Sequence, residues 1–122
     1  MKRTHKPYGK ELQQLLGKAS NNILNARAAM AKIDDNNSER AKQFFERAAE
    51  FEQEAAMRLE AEGHHEDVYI SLVSAASCYQ NAERYDKALL LFQQALARPE
   101  MPPKLRAKIK LLSKHCSMRE EV

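Results

Sequence analysis

DVYISLVSAASCYQ (67–80) and NAERYDKALLLFQQALARPEMPP (81–103) together decide the fold of this chain. Val68, Leu72, Ala76 and Tyr79 recur at i, i+4, i+8 and i+11, which is one stripe of a 3.6-residue helix. Ala88, Phe92, Ala95 and Leu96 make a second stripe. Between them the polar run Asn81 to Asp86 has the length of a tight helix-to-helix turn. Alanines 76, 88 and 95 remove bulk where the two helices must touch, so the backbones can approach while Tyr79 and Phe92 fill the space beside them. Asp67 is placed to cap the first of these helices, and Asp86 falls at the start of the second. Pro99, Pro102 and Pro103 end the second, because proline removes a donor and disfavours α geometry in the residue before it.

Working towards the N-terminus, Phe44, Ala48, Phe51, Ala55 and Leu59 form another stripe, with Ala41, Phe45 and Ala56 beside it. An apolar face that broad touches helices on two sides, so this element is expected to be central. It is expected to start at Ser38, as N-cap after the polar Asp34–Asn37, and to run to Glu62, with Gly63 as the C′ residue. Before it, Leu12, Leu16, Ala19, Ile23, Ala26, Met30 and Ile33 alternate in steps of four and three, the seam of a long helix over 8–33. Pro7 suits its first turn, and Gly17 weakens it slightly. Beyond the prolines, Leu105, Ile109, Leu112 and Cys116 line one face of a helix whose other face is lysine-rich, with fraying expected from Ser117 onward.

The spacing Leu72-x2-Ala75-Ala76-x2-Tyr79, then Ala88-x3-Phe92-x2-Ala95, resembles one tetratricopeptide (TPR) repeat, over about a third of the chain. It departs from that family in having Leu72, Ala75 and Ala76 where Trp, Leu and Gly are usual, and Pro99 falls a residue early. Ala41, Phe45 and Ala48 repeat the A-x3-F-x2-A spacing of Ala88, Phe92 and Ala95, but at an offset of 47 residues where TPR repeats have 34. The expected architecture is therefore all-α, about five helices in antiparallel hairpins stacked as a TPR-like right-handed superhelix. The whole chain, 1–122, forms one such domain: a hairpin of long helices over 8–62, a TPR-like hairpin over 67–98, and a capping helix over 102–116.

The resemblance implies a non-catalytic protein-interaction module that holds a peptide or partner helix in a groove lined by the first helix of each hairpin. On this chain those positions are Tyr69, Val73, Ser77 and Gln80. The family's carboxylate clamp uses lysine and asparagine there; with Val73 and Ser77 in those places, a hydrophobic or mixed helix is the expected ligand. The region from Ala88 to Cys116 also resembles the three-helix microtubule-interacting-and-trafficking domains, again helix-binding modules. The seam over 8–33 offers a second outlet, self-association as a homodimer.

Other chemistry finds little footing. His64-His65-Glu66-Asp67 is the densest set of metal-ligand types, but adjacent loop side chains diverge and no second cluster accompanies them, so no metal and no cofactor are expected. His115 and Cys116 are neighbours on a helix and do not face each other, and Cys78 has no partner for catalysis. There is no glycine-rich phosphate loop and no nucleophile elbow, so an enzyme is not expected.

The net charge of +3 is unevenly spread. Lys2, Arg3, Lys6, Lys10 and Lys18 face Glu11 alone; eleven acidic residues lie between Asp34 and Asp67; and Lys104, Arg106, Lys108, Lys110, Lys114 and Arg119 make the C-terminal helix basic. Basic ends suit a nucleic-acid-associated protein, the alternative reading, but only Tyr8 accompanies them as an aromatic and no recognition motif is present. No apolar run approaches the ~20 residues that span a bilayer, no secretory signal follows the basic N-terminus, and two isolated cysteines fit a reducing cytosol. The expected location is cytoplasmic.

Overall fold

The computed structural model describes residues 7–32 and 35–120. Lys2, Arg3, Lys6, Ile33 and Asp34 lie outside them. Among the described residues the chain is all helix, with five α-helices and no strand: α1 (Lys10–Met30), α2 (Asp35–Ala61), α3 (Val68–Asn81), α4 (Tyr85–Leu96) and α5 (Pro103–Glu120), with a single 3₁₀ turn, His65–Asp67, before α3. Each helix packs chiefly on its neighbours in sequence, α1 on α2, α2 on α3, α3 on α4 and α4 on α5. The central place expected for α2 is what the structure shows.

The stripes of α3 and α4 fall where the periodicity puts them; on α2 the buried line is shifted, Phe51 being half-buried while Phe45, Ala49 and Glu52 are buried. Tyr79 and Phe92 are buried, together with Ala75, Ala76, Ala88 and Ala95. On α2, Ala48, Ala49, Ala55, Ala56 and Leu59 are buried, with Phe44 half-buried against them. The interior is thus alanine-rich, and small side chains let the helices approach closely enough for one aromatic or leucine to close each layer. On α1, Leu12, Ala19 and Ala26 are fully buried within the single chain. The seam that suggested a homodimer is covered, for the most part, by the chain itself, although Met30 remains exposed.

The α2–α3 and α3–α4 turns close in the same way. Gly63 takes φ 84° as the C′ residue of α2, with the His64 N–H donating to the Leu59 carbonyl at 2.8 Å and the Gly63 N–H to that of Glu60 at 3.2 Å. After α3 the pattern recurs with a glutamate: Glu83 sits at φ 61°, the Arg84 N–H reaches the Tyr79 carbonyl at 2.8 Å, and the Glu83 N–H reaches that of Gln80 at 3.0 Å. The Glu83 carboxylate pairs with Lys42 at 2.6 Å, and that hydrogen bond lowers its pKa.

Three boundaries and one cap differ from expectation. Pro7 precedes α1, whose N-cap is Gly9. Ser38 lies inside α2, which starts at Asp35; Asp and Asn favour a helix N-terminal turn as readily as a cap, so the polar run joins the helix. Asp67 holds the N-cap position of α3 but makes no side-chain cap bond, because its carboxylate accepts the Tyr8 hydroxyl at 2.6 Å. And α5 continues to Glu120 where fraying was expected. Pro103 opens that helix, at the position where a missing N–H costs nothing.

Candidate functional site

α2 and α4 run parallel, side by side, with α3 antiparallel between them. The register is set by two ion pairs of the same separation: Arg84 Nη1 to Glu46 Oε1 at 2.7 Å, and Arg98 Nη2 to Glu60 Oε2 at 3.0 Å, each 38 residues apart. That differs from the 47-residue offset of the alanine–phenylalanine match. The first turns of α2 project past the start of α4, so Ala41 has no counterpart there, and Lys42 meets the α3–α4 turn instead.

Between these two helices lies an open groove of about 660 Å³. Val68 and Leu72 of α3 form its floor, Ala56 and Met57 its α2 wall, and Leu91 and Ala97 its α4 wall, with Gln53 and Gln94 as its polar points. Met57 is 73% exposed, and Leu90, one turn before Gln94 on α4, is 56% exposed. Both ends of the groove carry polar closures. At one, the Tyr79 hydroxyl donates to Gln53 Oε1 at 2.7 Å, with Lys87 over the Tyr79 ring at 5.4 Å. At the other, Arg98 holds Glu60, donates to the His65 carbonyl at 3.2 Å and to Glu100 Oε1 at 3.2 Å, while His65 Nδ1 lies 2.9 Å from Glu60. The hydrogen bond from His65, then that from Arg98, lowers the Glu60 pKa. The Arg106 guanidinium closes the C-terminus of α4 by donating to the carbonyls of Leu96 and Arg98.

The other flank of α2, towards α1 and α3, holds smaller openings, one of them around buried polar groups. A cavity of about 120 Å³ there is lined by Tyr8, Glu52, Asp67, Ser71 and Ser74 together with Leu16 and Leu59. Glu52 is buried, and that burial raises its pKa, against the hydrogen bonds from Ser71 and Ser74 that lower it. Tyr8, just before α1, lies over this flank with its ring edge-on to His64 at 4.9 Å. His64 and Asp67 are buried, and together they form the dock for Tyr8. Burial, with the Glu52 charge nearby, pushes the Cys78 thiol up to a pKa of about 12, far from a thiolate at neutral pH.

The four positions expected to line a binding groove, Tyr69, Val73, Ser77 and Gln80, are half-buried, not exposed. Tyr69 and Val73 pack against the core. The reason is that seven of the fourteen residues of α3 are buried, so a helix held between two others has little free face left. None of the four lines the α2–α4 groove. The sequence did carry one signal for that groove: Leu89-Leu90-Leu91 spreads over more than half a helix circumference, so one leucine had to face outward. Met57, off the main stripe of α2, was the matching sign on the other wall.

Among the described residues, no group of three or more His, Cys, Asp or Glu side chains is arranged to hold a metal ion, and no helix is long and apolar enough to cross a membrane. Comparison of the chain with family models, with curated proteins and with solved structures gave no match.

Proposed function

We propose that this chain is a TPR-like scaffold, its antiparallel hairpins stacked as a right-handed superhelix, which serves as a non-catalytic, cytoplasmic protein-interaction module. Its ligand is an amphipathic helix of a partner protein, held in the groove between α2 and α4. The observation that carries this reading is the groove itself: an apolar floor and walls, exposed Met57 on its α2 wall with exposed Leu90 one turn before Gln94 on α4, and polar contacts, Tyr79 to Gln53 and Arg98 to Glu60, at its two ends. Grooves of that kind take a helix by its i, i+3, i+4 and i+7 apolar positions. Cys78 is a free, buried thiol, which suits a reducing compartment. This reading puts the working surface on the second helices in preference to the first-helix positions Tyr69, Val73, Ser77 and Gln80, of which Tyr69 and Val73 pack against the core.

A photo-crosslinking residue at position 57, used in native cells with mass spectrometry, tests the proposal. A partner captured there should be lost with Leu90→Asp, which leaves the thermal transition unchanged because Leu90 is exposed. The pair Tyr69→Ala and Val73→Ala should instead lower the transition temperature. Capture that survives Leu90→Asp, or that follows Ser77 and Gln80, would move the site away from this groove.

A further inference from the structure

The outer face of α5 differs from every other exposed helix face in its charge. Leu111 and Met118 are 71% and 59% exposed and stand seven residues apart, two turns along the same line, with exposed Ala107 beside them. Lys104 and Lys108 flank this line on one side, and Lys110 and Lys114 on the other, all exposed. No carboxylate occurs in the helix before Glu120. Among the described residues, none of the four lysines enters an ion pair.

For the free chain this is a poor arrangement. Lys104–Lys108 and Lys110–Lys114 are like-charge pairs at i, i+4, which disfavour a helix. Lys104 also stands in the first turn, where the helix dipole favours an acid. The same arrangement suits a second helix laid alongside. Apolar side chains seven residues apart make one seam of a helix pair, and charges on both flanks choose the partner by its opposite sign.

We propose that this face docks an acidic amphipathic helix of a partner protein, Leu111 and Met118 entering its apolar seam and the four lysines pairing with carboxylates on either side. A phosphate backbone would use the lysines but has no use for Leu111 and Met118, and α5 carries no Phe, Tyr or Trp on which a base could stack, His115 being its one exposed ring. A lipid surface needs a whole apolar face; here Leu105, Ile109, Leu112 and Cys116 are turned into the core, leaving two large side chains for insertion.

The test is titration of the full chain with a synthetic helical peptide of about three heptads, leucine along its seam and glutamate on both flanks. Saturable binding is expected, weakened about tenfold or more by Lys108→Glu with Lys114→Glu, and again by Leu111→Gln, with circular dichroism unchanged in each variant. Leu90→Asp should leave it intact, which separates this surface from the α2–α4 groove. Three results would overturn the proposal. One is no binding of this peptide beyond that of a scrambled peptide of equal composition. Another is binding of a short DNA duplex or of phosphatidylserine vesicles that the lysine variants abolish and Leu111→Gln spares. The last is wild-type self-association in sedimentation that the same lysine variants abolish, since the occupant would then be a second copy.

Discussion

The two flanks of α2 were finished in different ways. Towards α1 and α3, the gap is small and its polar groups answer one another: Tyr8 to Asp67, Ser71 and Ser74 to Glu52. Towards α4, the gap is several times larger, its polar contacts stand at the ends, and the middle is apolar. The contrast teaches where a helical stack can still accept another chain. Burying a carboxylate demands that its hydrogen bonds be met inside the chain, which closes a crevice. Apolar walls make no such demand and stay apart when ion pairs hold them so.

The sharpest way to break this contrast is to remove the packing on which the open flank rests. Phe92 is fully buried, and Phe92→Ala should cost about 3–5 kcal/mol in a denaturant titration. A cost under about 1 kcal/mol would mean that α4 is not rigidly placed, and that the groove has no fixed width.

Next in size is Glu52, on the closed flank. Burial lifts its pKa above the ordinary 4.5. The folded chain then binds the proton more tightly than the unfolded one, so stability declines as pH rises from the ordinary value through the folded one. Glu52→Gln should therefore be more stable than the wild type at pH 7, on the order of 1 kcal/mol for each unit by which the pKa is displaced, with the difference vanishing below pH 4. Glu60, at the end of the open flank, has the opposite sign: its lowered pKa contributes stability above 4.5 that is lost as pH falls through the folded value. Thermal melts across pH for Glu52→Gln and Glu60→Gln should show slopes displaced in opposite directions. Parallel displacement would remove the distinction between the flanks.

The smallest effect should come from Gly17. It lies exposed within α1, and a Cβ there meets nothing within 4 Å. Gly17→Ala should raise stability by about 0.5–1 kcal/mol without touching either flank. A loss instead would show that α1 bends at this point in closing over Glu52.

The helices were legible because each carries a repeating apolar stripe, and Val68, Leu72, Tyr79 and Phe92 went where their spacing sends them. The start of α2 was not, since Asp35, Asn36 and Asn37 serve a cap and a first turn equally well. The groove escaped for a different reason. Its shape depends on how α2 and α4 slide past each other, and that is fixed by Glu46–Arg84 and Glu60–Arg98, pairs 38 residues apart that no local pattern announces. The half-burial of Tyr69 and Val73 likewise follows from α3 lying between two helices, a three-body arrangement that a single stripe does not reveal.

The neighbour-on-neighbour packing of α1 through α5 also bears on how quickly the molecule assembles. Nearly every contact is made between segments joined by a short link, so little loop entropy is lost before it is repaid. Chains of such low contact order fold in roughly microseconds to milliseconds. Either hairpin can zip first and serve as a template for the other, and a nascent chain emerging N-terminus first can settle α1 on α2 before α5 has been made.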